Sequence, residues 1–170
     1  METPTIKTDR LILRSFNMAD LDGYAKICTD SESMRFIGGA LNYEQTLENM
    51  AIIQGHWLLR GYGIWAIQSI QTGDFVGRAG LLNLYGWPGI EVCWALSPDH
   101  RGKGYASEAA KAAIDWTFNK KVTDRLISLI HPLNVKSIAV AERVGEVFKE
   151  QIEFNSKPAK VYEICSSKNA

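Results

Sequence analysis

The stretch from Trp94 to Ala109 constrains the fold of this chain more than any other. It runs as an apolar strand, a proline, a loop carrying two glycines, and a helix: Trp94-Ala95-Leu96-Ser97-Pro98-Asp99-His100-Arg101-Gly102-Lys103-Gly104-Tyr105-Ala106-Ser107-Glu108-Ala109. Proline has no N–H to give a central ladder, so the strand ends at Pro98. Gly102 and Gly104 let the backbone turn tightly and leave its amide groups open to a ligand. The helix that follows aims its unpaired N–H groups and the positive end of its dipole at that loop. Such an arrangement suits an anionic phosphate group; it also suits a plain connector between a strand and an amphipathic helix. Two phosphate loops do not match. A Walker loop needs Lys-Ser/Thr at its end, and Gly104 is followed by Tyr105-Ala106. The dinucleotide fingerprint needs glycine or alanine where Ser107 stands.

Around this segment the patterning alternates between helix and strand. Thr8 to Phe16 reads as an opening strand, and Asn17 or Asp20 caps a helix through about Cys28. Gly38-Gly39 is a break, and Tyr43 to Arg60 is a second helix closed by Gly61-Tyr62-Gly63. Ile64 to Ile70 and Phe75 to Leu82 form a hairpin about Thr72-Gly73-Asp74, and Ile90 to Leu96 is a further strand. Tyr105 to Phe118 is a helix with Ala106, Ala109, Ala110, Ala113 and Ile114 on one stripe. Arg125 to Ile130 is a strand, Asn134 to Val144 a helix stopped by Gly145, and Glu146 to Phe154 with Lys160 to Cys165 a closing strand pair. The expected architecture is one mixed α/β sheet with helices on both faces. At 170 residues the chain has the size of one domain, expected over 1–170.

Composition narrows the classes. Lys+Arg and Asp+Glu both number 19, a net charge of zero that argues against a dedicated nucleic-acid binder. No apolar run is long enough for a membrane span, and residues 1–14 lack the apolar stretch of a secretion leader. Cys28, Cys93 and Cys165 are odd in number and far apart, so neither a disulfide framework nor a zinc site is expected. The expectation is a cytoplasmic protein without a metal.

Arg101 to Ala106 resembles the R-x-x-G-x-A loop of the GNAT superfamily of N-acetyltransferases, which holds the pyrophosphate of acetyl-CoA. More narrowly, the chain resembles the branch containing the ribosomal-protein alanine N-acetyltransferases. Thr8-Asp9-Arg10-Leu11-Ile12-Leu13-Arg14 resembles that branch's first strand, and Trp65-Ala66-Ile67 with Gly73-Asp74-Phe75-Val76-Gly77 its central hairpin. Asn134-Val135-Lys136-Ser137 with Glu142-Arg143-Val144-Gly145 resembles its second cofactor motif.

The resemblance implies a mixed, mostly antiparallel sheet of about seven strands and about four helices. Two parallel strands splay apart to admit the pantetheine arm. It implies acetyl-CoA contacts from the backbone of Trp94, Ala95 and Leu96, from Arg101, Gly102, Lys103, Gly104, Tyr105, Ala106 and Ser107, and from Asn134 and Ser137. A backbone N–H on the first of these strands would also face the thioester carbonyl as an oxyanion donor. The implied partners are acetyl-CoA and an amine acceptor, either a protein N-terminus or a small amine, and a homodimer is common in the family. Nucleic acid and membrane are not expected partners.

The proton chemistry departs from the family pattern. Many members carry an acidic tyrosine seven residues after the motif asparagine; here that position is Ala141. Ser137 resembles a serine given the acid role in the ribosomal-protein branch, and it also reads as a helix cap. Glu146 replaces the usual phenylalanine after Gly145, a change expected to affect packing more than chemistry. A lysine-like amine, with pKa about 10.4, costs about 4.6 kcal/mol to deprotonate at pH 7, against about 1.4 kcal/mol for an α-amine near pKa 8. Glu91 is the best-placed carboxylate to help, and the alternative is a strand-end glutamate facing water. His131 and His56 are weaker candidates. Trp57, Trp65, Trp87 and Tyr85 could line an acceptor pocket, with Trp65 the most core-like and Trp87, in its Gly/Pro loop, the most site-like. No activating base accompanies Cys93, so direct transfer is preferred to an acyl-enzyme. A non-catalytic acyl-CoA-binding module and a structural domain without CoA are the rival readings.

Overall fold

The computed structural model describes residues 3–166, so the outermost residues of the domain expected over 1–170, Met1 among them, lie outside the described residues. The elements are β1 (Ile6–Lys7), β2 (Leu11–Arg14), α1 (Leu21–Cys28), α2 (Ser31–Met34), α3 (Tyr43–Arg60), β3 (Ile64–Ser69), β4 (Phe75–Leu82), β5 (Glu91–Leu96), α4 (Tyr105–Asn119), β6 (Arg125–Ile130), α5 (Val135–Arg143), β7 (Val147–Phe154) and β8 (Lys157–Cys165). The opening strand expected over Thr8 to Phe16 is β2, and a short strand not foreseen, β1, precedes it and pairs with it, with Ile6 opposite Leu13. The short α2, capped by Asp30, has no counterpart in the sequence reading, because one helical turn carries too little periodicity to see.

The described residues form one sheet of eight strands in the order β1-β2-β3-β4-β5-β6-β8-β7, against about seven expected, with five helices against about four. All strand pairs are antiparallel except β5–β6. Side chains of α1 and α3, among them Tyr24, Ile27, Met50 and Ile53, pack on one face of the sheet with Ile64, Ala66 and Ala95. The alanine stripe of α4, through Ala109 and Ala113, packs on the other face with Leu11, Leu13, Trp65 and Val76. Small side chains there let the helix lie close to the strands, while α5 buries Ala141 against Ile130 and Tyr162.

The parallel pair positions the site. Its ladder holds one pair, Glu91 opposite Ile127, and then the strands part. β5 stays fully paired with β4 through Leu96, and β6 with β8 through Ile130. The gap is therefore walled by two strands that are each anchored on their far side.

Candidate active site

Two side chains hold the fork open. The Glu91 carboxylate accepts the Leu129 N–H at 3.1 Å, and the Ser128 hydroxyl donates to the Val92 carbonyl at 2.7 Å. Each substitutes a side-chain group for a backbone partner that the parting strands no longer offer, so both buried backbone groups remain satisfied. Glu91 is buried, at 8% exposure, which corrects the alternative of a strand-end glutamate facing water. Burial pushes its carboxyl up to about 8; the Leu129 N–H and the positive charge of Arg78 oppose that shift only in part.

At one end of the fork lies the glycine loop. Gly102 and Gly104 have φ of 75° and 81°, the left-handed region that side-chain-bearing residues avoid. Gly104 is the N-cap of α4 and offers no capping side chain, whereas α3 and α5 are capped by Asn42 and Asn134. The first N–H groups of a fifteen-residue helix thus face the loop without a capping side chain. Lys103 and the half-exposed Arg10 stand beside them, and the Lys103 ammonium donates to the Asp99 carbonyl at 3.1 Å. Arg143 donates to the Ser107 hydroxyl at 3.0 Å, which brings a further cation to the same helix end. These donors and charges fit a pyrophosphate.

The loop is braced from the amino-terminal segment. Glu108 accepts from the Thr8 hydroxyl at 2.6 Å and from Arg10 Nε at 2.7 Å, and Arg10 also donates to the Lys103 carbonyl at 2.9 Å. The Arg10 guanidinium lies 4.8 Å from the centre of the Tyr105 ring. Arg101 points elsewhere: it donates to the Leu96 carbonyl at 3.3 Å and to the Ser33 hydroxyl, tying the loop to α2. Ala106 is half-buried on the first turn of α4.

At the other end a cavity of about 540 Å³ opens on the α1–α3 side of the sheet. Arg78 and Glu91 line it from the sheet, Asn49 and Ile53 from α3, and the residues around Phe36 and the β7–β8 turn close it. Asn134, Ser137, His131 and Trp94 also border it, so the second-motif residues and the fork share one space. Asn134 Oδ1 accepts the Ser137 N–H at 3.3 Å as the cap of α5, so this side chain has a structural duty as well. The Ser137 hydroxyl is half-buried at the wall. Ala95 and Leu96 continue the open edge of β5 toward the loop.

Of the aromatic candidates, Trp87 alone reaches the cavity, edge-on to Phe154 at 5.4 Å. Trp57 and Trp65 are core, in edge-to-face contact at 4.6 Å, and Tyr85 is fully in solvent. His56 is structural, bonded to the Tyr62 carbonyl at 2.7 Å, whereas His131 stacks on Phe36 at the cavity wall. Burial pushes the Cys93 thiol up to about 12, which keeps it protonated and disfavours an acyl-cysteine.

Two residues were not foreseen. Arg78 lines the cavity; its signal was a lone cation amid the apolar residues of β4. Glu146 is 2% exposed and both its carboxyl oxygens lack a hydrogen-bond partner among the described residues. Burial pushes it up to about 8, the neighbouring Ser128 hydroxyl lowers it, and the Glu91 charge adds to the rise. The phenylalanine-to-glutamate change is therefore a titratable group in the core, beyond the packing role expected of it.

Among the described residues no cluster of side chains could hold a metal ion, and no helix is long and apolar enough to cross a membrane. Residues 10–147 match the model of the acetyltransferase (GNAT) domain. The chain is 32% identical over 161 residues to the uncharacterized protein YkkB of Bacillus subtilis, covering 92% of each. The crystal structure of an acetyltransferase from Agrobacterium tumefaciens superposes with a TM-score of 0.87 at 32% identity, covering 96% of this chain and 95% of that one. A ribosomal-protein α-N-acetyltransferase in complex with coenzyme A shares the fold, with a TM-score of 0.81 at 14% identity over 96% and 98% of the two chains. So does an aminoglycoside acetyltransferase in complex with coenzyme A, at 0.76 and 17% over 91% and 94%.

Proposed function

The chain belongs to the GNAT acetyltransferase family, and from that premise we propose that it is a single-domain, cytoplasmic N-acetyltransferase moving the acetyl group of acetyl-CoA to a primary amine. The observation that carries this reading is the uncapped helix end and the Glu91 cavity at opposite ends of one fork in the sheet. Acetyl-CoA supplies an activated acetyl group and a thiolate that leaves.

The residues of the chain do the rest. The amides of residues 102–107 bind the pyrophosphate. The open edge of Trp94, Ala95 and Leu96 pairs with the pantetheine amides, and a backbone N–H there supports charge on the thioester oxygen. Asn134 holds the arm. Glu91, in its ionised form, takes a proton from the amine as the N–C bond forms and the C–S bond breaks. Ser137 relays a proton from solvent to the departing sulfur, passing on its own hydroxyl proton as it takes up another, in the role that Ala141 cannot fill. A carboxyl raised to about 8 is a better base than an ordinary one, because proton transfer is most efficient when donor and acceptor are matched near the working pH.

Calorimetric titration with CoA, followed by a free-thiol release assay over a panel of amines, tests the proposal. Micromolar CoA binding with amine-dependent thiol release is expected. Binding without release for any amine would make the chain an acyl-CoA-binding module, and no binding would end both readings.

A further inference from the structure

The cavity contains a half-buried cation that makes no ion pair among the described residues. Arg78 reaches into it from the middle of β4, where it pairs across the strands with Ala66 on β3 and Ala95 on β5. Its Nε is buried and has no hydrogen-bond partner, and among the described residues no carboxylate lies within ion-pair distance of it. The Tyr24 ring lies 5.9 Å from the guanidinium carbon. A cation–π contact at that distance satisfies none of the five N–H donors of a guanidinium. Arg78 is half-buried at the cavity wall, so a ligand that displaces water there must itself bring the acceptors and the counter-charge.

The other polar groups around the cavity do not supply it. Glu91 lies on the same face of β5 and its charge attracts Arg78, but the two are not within ion-pair distance, its oxygen is committed to Leu129, and burial holds it largely protonated at neutral pH. Tyr24 gives its hydroxyl proton to Asn49 at 2.6 Å, and burial raises its pKa further. Cys93 stays a thiol, His131 is stacked on Phe36, and Lys157 at the rim adds a second positive charge. The lining is otherwise apolar, including Ile53, Leu82 and Trp87. An arginine in such a setting presents the planar fork that matches a carboxylate in two parallel bonds.

We propose that Arg78 binds a carboxylate carried by the acceptor, so that the preferred acceptors are small primary amines of the amino-acid class rather than polycations. This rests on the acetyltransferase reading and sharpens it. The position on β5 opposite Arg78 is Ala95, four residues from Glu91 on the same face of the strand. An acceptor lying along this face can present its amine toward Glu91 while its carboxylate meets Arg78. Polyamines and aminoglycosides would instead bring several positive charges against Arg78 and Lys157.

The test uses matched acceptors in the thiol-release assay: glycine, β-alanine and γ-aminobutyrate, the amide of each, and the corresponding amines without a carboxylate, with spermidine as the polycation. The wild type is expected to show kcat/KM at least tenfold higher for a carboxylate-bearing acceptor than for its amide. Arg78→Met is expected to erase that difference while its CoA affinity stays unchanged. Equal rates for acid and amide in the wild type, or a preference that survives in Arg78→Met, would overturn the inference and leave the acetyltransferase reading intact. A second readout does not depend on turnover. With CoA present, γ-aminobutyrate should raise the melting temperature of the wild type and not that of Arg78→Met. If no amine is acetylated although CoA binds, the acetyltransferase reading fails, and this melting shift alone decides whether Arg78 receives a carboxylate. Its absence in the wild type would sink the idea.

Discussion

The two ends of the fork are built on opposite principles. The glycine loop is contiguous, exposed and made of backbone donors, and its bracing comes from polar contacts with Thr8 and Arg10. The cavity is assembled from strands, helices and the turns between them, and its polar groups are side chains in an apolar wall. Backbone donors tolerate many side chains, so the loop can be kept while chemistry changes. The cavity depends on single side chains, so one substitution there can change what is accepted. The difference teaches where to look for binding and where to look for specificity and turnover.

The sharpest way to separate the two ends is Glu91→Gln. The amide oxygen can still accept the Leu129 N–H and hold the fork, so CoA affinity should survive while turnover falls by about 10²–10⁴-fold. With Glu91 raised to about 8, wild-type kcat/KM should climb as the pH rises through that value and the basic form accumulates. The variant should follow only the acceptor's own deprotonation, so its deficit should shrink toward the acceptor's pKa and be larger for a lysine-like amine than for an α-amine. Steady-state kinetics from pH 6 to 10 checks this, and full activity of the variant at pH 7 would return Glu91 to a purely structural role.

Gly104→Val strikes the other end. A side chain at φ of 81° is strained and its Cβ would come within 3.3 Å of Arg10 Nη2, so the Arg10 brace must give way and the amides lose their open approach. Calorimetry should show CoA binding weakened about tenfold or more, equivalent to at least ~1.4 kcal/mol. Unchanged affinity in a folded variant would place the pyrophosphate elsewhere.

Asn134→Ala probes the border between the two. Loss of one hydrogen-bonding group should weaken acetyl-CoA by about 0.5–1.5 kcal/mol. The same change removes the cap of α5, so the melting temperature should fall as well. A drop in melting temperature with unaltered affinity would reduce Asn134 to its cap.

Apart from binding and turnover, Glu146 bears on the pH dependence of stability. Its pKa and that of Glu91 are raised to about 8 in the folded chain, above an unfolded value near 4.5. Between those values the folded state binds more protons than the unfolded one, so stability is greatest at the acid end and declines as pH rises to about 8. One such group contributes a slope of up to about 1.4 kcal/mol per pH unit. Glu146→Gln should flatten part of that decline, a shift of about 2–4 °C in melting temperature for each kcal/mol recovered at pH 8. An unchanged slope in the variant would show that Glu146 is not the group that titrates.

The same contrast explains what could be read in advance. Where one contiguous segment carries the information, as in Trp94 to Ala109 or in the eighteen residues of α3, elements and boundaries follow from periodicity, glycines and caps. The cavity needs knowledge of which segments meet. Trp87 and Tyr85 lie two residues apart in one loop, yet one packs on Phe154 and the other stands in water, and no local pattern distinguishes them. Arg78 was visible as a charge inside an apolar strand, but only the sheet order shows that it faces a cavity rather than solvent. Glu146 stood out as a departure, and its burial beside Ser128 and Glu91 required the third dimension.

The strand order has a consequence for how the protein comes into being. From β1 to β6 each strand lies beside its predecessor in the chain, but β8 is threaded between β6 and β7. β6 shares six residue pairs with β8 and a single one with β5, so one wall of the fork has almost no support until the last strand arrives. A nascent chain can assemble the first five strands and the glycine loop while the fork remains undefined. β8 also gives Lys157, Pro158 and Ala159 to the cavity lining, so the fork and the cavity should take shape together and abruptly as residues 157–165 become available.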